Sequence, residues 1–98
     1  MTEYPTREQF AENLHSTFRL QTTDARELSL ELISLTLLPS APQQEQYSLI
    51  FRGPADTLLS QGTYRLEHDR LGAFDLFLVP IARDQQGVQY EVIFNRLQ

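Results

Sequence analysis

From Ser16 onward, apolar and polar residues trade places at almost every second position. Side chains alternate across a β-strand, so a period of two predicts one face turned inward and one outward. The pattern is clearest over residues 62–81, which read as two strands joined by a tight connection at 69–72. In the first, Tyr64, Leu66 and His68 share a face, with Thr63, Arg65 and Glu67 opposite. In the second, Phe74, Leu76 and Leu78 share the inward face, and Asp75, Phe77, Val79 and Ile81 take the other.

Four more strands follow from the same period. Residues 16–21 place Phe18 and Leu20 inward. Residues 27–38 begin with Leu28, Leu30 and Leu32 in phase, then switch to Ile33, Leu35 and Leu37. A change of buried parity in mid-strand predicts a β-bulge, placed here at 32–34. Glu and Leu also form helices readily, but two clean alternating triplets favour a strand. Residues 46–52 align Tyr47, Leu49 and Phe51, and residues 88–95 align Val88, Tyr90, Val92 and Phe94. Residues 83–87 form a hairpin turn, with Gly87 suited to a left-handed backbone. Residues 39–45 are a proline-containing loop. Residues 55–61 are a connector, with one helical turn expected around Leu58 and Leu59.

The N-terminal segment breaks the period. Thr6 and Gln9 have the spacing of a capping box, and Phe10 and Leu14 lie four apart on one helical face. A helix over 6–14 is too short to persist alone in water, so it must dock. The expected fold is therefore all-β, mainly β with one short N-terminal helix. The six antiparallel strands form a small barrel or strongly bent sheet over 16–95, and 1–98 is a single domain. Closure into a barrel removes exposed sheet edges.

The outward face carries a second apolar set: Ile50, Phe77, Val79, Ile81 and Ile93. The outer face of a lone barrel is expected to be polar. The helix could lie across this set with Phe10 and Leu14 as filling. Alternatively the set forms a partner surface for another protein or a second copy of the chain. The tyrosines suggest a different use. Tyr47, Tyr64 and Tyr90, with His68, could line the rim of a small-ligand pocket at a barrel mouth.

Composition narrows the chemistry. The 98 residues carry a formal net charge of −5, and all eight cations are arginine. An acidic chain lacks the basic surface that nucleic acid or anionic lipid requires, so neither is an expected partner. Without lysine there is no Schiff base and no phosphate-loop lysine. Without cysteine there is no disulfide, thiolate nucleophile or thiolate metal site. No apolar run reaches the length of a membrane helix. The N-terminus shows no secretory pattern, so a cytoplasmic location is expected.

Few residues invite a catalytic reading. His68 stands between Glu67 and Asp69, but strand neighbours point to opposite faces. With only His15 besides, the ligands for a metal are lacking. His68 is expected to hydrogen-bond the turn into Leu71 and Gly72, and His15 to cap the helix end. Asp75, on the apolar stripe, is expected to pair with Arg19 or Arg65. No nucleophile elbow or phosphate-binding loop is present. No catalytic residue, metal ligand or cofactor is expected, and the chain is read as not an enzyme.

Four runs carry a family likeness: Phe-Arg-Gly-Pro-Ala-Asp (51–56), Gln-Gly-Thr-Tyr-Arg-Leu-Glu-His (61–68), Leu-Gly-Ala-Phe-Asp-Leu-Phe-Leu-Val-Pro-Ile (71–81) and Tyr-Glu-Val-Ile-Phe-Asn (90–95). They resemble a family of small bacterial domains of unknown function. The resemblance covers nearly the whole chain and brings no catalytic residues. It implies a bacterial source and genes lying near those of phage-tail-collar-like proteins, hence an accessory or assembly role. The shared residues are mainly strand-core and turn positions. The expectation is a non-enzymatic interaction module, with a small-ligand-binding barrel as the alternative.

Overall fold

A computed structural model describes residues 4–22 and 24–97. Residues 1–3, read above for a secretory pattern, Thr23 and Gln98 lie outside the described residues. One helix, α1 (Arg7–Glu12), precedes six strands: β1 (Thr17–Gln21), β2 (Glu27–Leu37), β3 (Gln44–Gly53), β4 (Gly62–His68), β5 (Gly72–Asp84) and β6 (Gly87–Leu97). The strands close into an antiparallel barrel in the order β1-β2-β3-β6-β5-β4.

The expected bulge is present. Leu32 pairs with Phe51 and Ser34 with Ile50, which leaves Ile33 as the extra residue. Beyond it Leu35 faces Leu49 and packs against the core, so the parity change keeps Leu35 on the inner side; Leu37, read in the same parity, is 59% exposed. A second bulge was not foreseen. Pro80 pairs with Tyr90 and Ala82 with Gln89, with Ile81 between them. Proline has no N–H for the ladder and is tolerated at such an irregularity. β5 therefore continues to Asp84 instead of stopping at Ile81.

The inward positions read from the alternation are buried, except Leu35, Tyr64 and Phe94, which are half-buried against the core, Ile33, the half-buried bulge residue, and Leu37, which is exposed. Phe10 and Leu59 join them inside. These additions close the two ends of the barrel. At one end α1 inserts Phe10, whose ring meets Phe74 edge-on at 6.0 Å and Phe94 at 5.6 Å, and stacks on Phe18 at 6.5 Å. At the other end the 54–61 connector inserts Leu59.

The capping box of α1 is complete. Thr6 Oγ1 accepts from Gln9 N–H at 3.1 Å, and Gln9 Oε1 accepts from Thr6 N–H at 2.8 Å. The helix is shorter than the expected 6–14. Asn13 Nδ2 donates to Gln9 O at 2.8 Å and ends it. His15 is consequently no cap. It takes a left-handed φ of 66° and donates its N–H to Leu32 O at 2.7 Å, anchoring the chain to β2. The helical turn expected at Leu58 and Leu59 does not form. Leu59 N–H donates to Tyr90 Oη at 3.0 Å, and Tyr90 Oη donates to Thr57 O at 3.4 Å. The tyrosine takes backbone groups that a helix would have used.

Candidate functional site

The predicted set at the pocket rim does not converge. Tyr64 and Tyr90 lie at the connector end, where Tyr64 Oη donates to Ser60 O at 2.7 Å. Their hydroxyls are both tied to backbone carbonyls of the 54–61 connector that crosses this end. Tyr47 lies toward the α1 end, fully buried and stacked on Phe94 at 5.0 Å. Its hydroxyl has no hydrogen-bond partner among the described residues. Burial pushes the phenols of Tyr47 and Tyr90 above their ordinary range, opposed by Arg96 at Tyr47 and by the Leu59 N–H at Tyr90.

His68 is buried at the α1 end, against Phe18, with ring centroids 4.4 Å apart. It ties the turn into β5 as expected: Nδ1 accepts from the N–H groups of Arg70 at 3.0 Å and Leu71 at 3.2 Å. Its Nε2 lies 2.8 Å from Ser16 Oγ, a partner 52 positions away that no local spacing announces. The pair borders a hollow of about 330 Å³ shared with Arg19, Asp69 and Arg70.

A serine beside a histidine invites comparison with a nucleophile and its base, but the proton is on the wrong atom. Two backbone donors require a lone pair on Nδ1, so Nε2 carries the hydrogen and donates to Ser16. Ser16 in turn donates to Asn13 O. The imidazole cannot accept the serine proton in this arrangement, and Nδ1 lacks the carboxylate that would orient it as a base. Burial also lowers the His68 pKa, only partly offset by Asp69. Among the described residues, no group of three or more His, Cys, Asp or Glu is placed to hold a metal ion. Asp75 forms its expected ion pair with Arg65, at 3.3 Å. Arg19 instead serves Asp69 at 3.0 Å and Glu27 at 3.8 Å.

The outer apolar set does converge. Ile50 pairs with Glu91 and Glu91 with Val79, which puts the three side chains in one row across β3, β6 and β5. Ile93, two residues along β6, pairs with Ser48, and Phe77 lies two residues along β5. Phe77 is 49% exposed, Ile81 47% and Ile93 50%; Ile50 and Val79 are half-buried. Helix α1, one of the two covers considered, does not lie across this set, because it puts Phe10 into the barrel end. The sequence showed that the helix must dock, but not where. Inner and outer apolar stripes both offered it hydrophobic surface.

β5 and β6 are paired from Asp84 and Gly87 to Val79 and Glu91, and no further pair joins them toward the α1 end among the described residues. A hollow of about 360 Å³ lies there, bordered by Phe77, Ile93, Tyr4 and Arg96. Tyr4 meets Phe94 edge-on at 5.8 Å, and Arg96 donates to Pro5 O at 2.6 Å, so the segment before α1 runs along this seam.

The model of a domain of unknown function, DUF6916, matches residues 5–94. The chain belongs to this family. No curated protein and no solved structure matches it. The match begins at Pro5 and ends at Phe94, so the family unit includes α1 and all six strands rather than the barrel alone. No helix among the described residues is long and apolar enough to cross a membrane.

Proposed function

We propose that this DUF6916 domain is a non-enzymatic interaction or assembly module, and that it docks on another protein through the outer face of β3, β5 and β6. The observation carrying this reading is the half exposure of Phe77, Ile81 and Ile93 while α1 is used elsewhere. Clustered apolar side chains left in water favour association, because burying them releases roughly 25 cal/mol per Å² of apolar surface. The donor role of His68 toward Ser16 supports the non-enzymatic part. The filled interior favours docking over ligand storage: Phe10, Phe18, Phe51 and Phe74 occupy the barrel at 0% exposure. A bacterial assembly near tail-collar-like proteins, implied by the family likeness, is a fitting setting.

The test is capture from the native host with the chain and with a Phe77→Ser/Ile93→Ser variant. A partner held by the first and lost by the folded variant supports the reading. Equal capture by both overturns it.

A further inference from the structure

The outer face is not uniformly apolar, and one of its carboxylates, Glu91, specifies more than the docking reading above, on which this inference rests. Glu91 sits in the middle of the patch. Ile50 and Val79 flank it across the two neighbouring strands, and Ile93 follows it on its own strand face. Ser48 Oγ donates to Glu91 Oε2 at 2.9 Å. No ion pair to Glu91 is formed among the described residues. A docked partner that covered Phe77 and Ile93 would strip water from this carboxylate. Burying a charge without a counter-charge is costly, so a purely apolar partner is disfavoured.

We propose that the partner presents a segment in which an arginine or lysine is set among apolar residues, the cation meeting Glu91 while its neighbours cover Phe77, Ile81 and Ile93. A second copy of the chain is a poor source of that cation. Arg65 on this face is held by Asp75, Arg52 by Glu31 at 3.2 Å, and Arg83 by Ala55 O at 2.9 and 3.1 Å. Two copies would also bring together chains of net charge −5 each. An anionic lipid surface is disfavoured by the same carboxylate and the same net charge.

The experiment pans a displayed library of random linear peptides against the whole chain. Selected peptides are then titrated against the chain, Glu91→Gln and Phe77→Ser/Ile93→Ser. The expected peptides carry Arg or Lys between apolar residues. They bind Glu91→Gln about tenfold or more weakly, and the double variant not measurably. Peptides lost on the double variant but indifferent to Glu91→Gln overturn this inference and leave the docking reading standing. Peptides indifferent to the double variant, or no selected peptide at all, overturn both. Self-association of the chain that the double variant abolishes assigns the face to a second copy and also overturns the inference. Should the double variant melt early, Ile81→Ser at the exposed bulge replaces it.

Discussion

Phe10 of α1 stands edge-on to Phe74 of β5, with ring centroids 6.0 Å apart and planes at 85°. This contact decides what the helix is for. It places the largest apolar side chain of α1 at 0% exposure inside the barrel. Phe10→Ala is therefore expected to behave as a core truncation and not as the trimming of a surface helix. The expected loss is about 3–5 kcal/mol, read from urea unfolding, with Phe74→Ala costing about the same. A loss under about 1 kcal/mol for Phe10→Ala would mean that the helix is not packed in this way.

His68 couples stability to pH. In the folded chain its neutral ring accepts two backbone N–H groups and donates to Ser16, and burial holds its pKa below the ordinary histidine value of 6.5. As pH falls through 6.5 the unfolded chain takes up the proton first, which favours unfolding. The contribution of His68 is thus whole above about pH 6.5 and declines below it. Urea midpoints measured at about pH 8 and pH 5.5 are expected to drop further for the chain than for His68→Gln. Equal drops would contradict the assignment of Nδ1 as an acceptor.

Tyr47 makes the opposite prediction from most core residues. Its ring stacks on Phe94, but its hydroxyl is buried without a partner among the described residues. Removing an unsatisfied polar atom while keeping the ring is expected to be neutral or stabilising, by up to about 1 kcal/mol. Thermal unfolding of Tyr47→Phe measures it. A clear destabilisation would show that the hydroxyl is satisfied.

Gly87 closes the β5–β6 hairpin at a φ of 146°. A Cβ there would lie 2.2 Å from Gly53 O and 2.9 Å from Arg52 Cγ. Backbone cannot yield as a flexible side chain can, so Gly87→Ala is expected to cost more than about 2 kcal/mol. Gly72, at a φ of 86° with no atom near its added Cβ, carries only the backbone penalty. Gly72→Ala is expected to be the milder of the two in the same denaturation series.

Much of the barrel was legible because the strand period reports directly on burial. Leu28, Leu30 and Leu32, then Leu35, declare both faces of β2 and the bulge between them. The end plugs were not legible. Leu59 and Phe10 lie outside the alternating stretches, and their destinations depend on closure of the sheet. The pairing of Ser16 with His68 spans two chain-distant strand ends, so no spacing rule could find it. Pro80 carried an unread signal, since a proline within a strand marks an edge or a bulge. Glu91 broke the apolar outer set in plain view, but its meaning needed the register that puts Ile50 and Val79 beside it.

The openness of the outer β3–β5–β6 face is tested most directly by hydroxyl-radical footprinting of the free, dilute chain. Phe77, Ile81 and Ile93 are expected to be modified readily, and Phe10 and Phe74 to be protected until the chain unfolds. Protection of Phe77 and Ile93 together with ready modification of Phe10 would place the helix on the outer face and contradict the account.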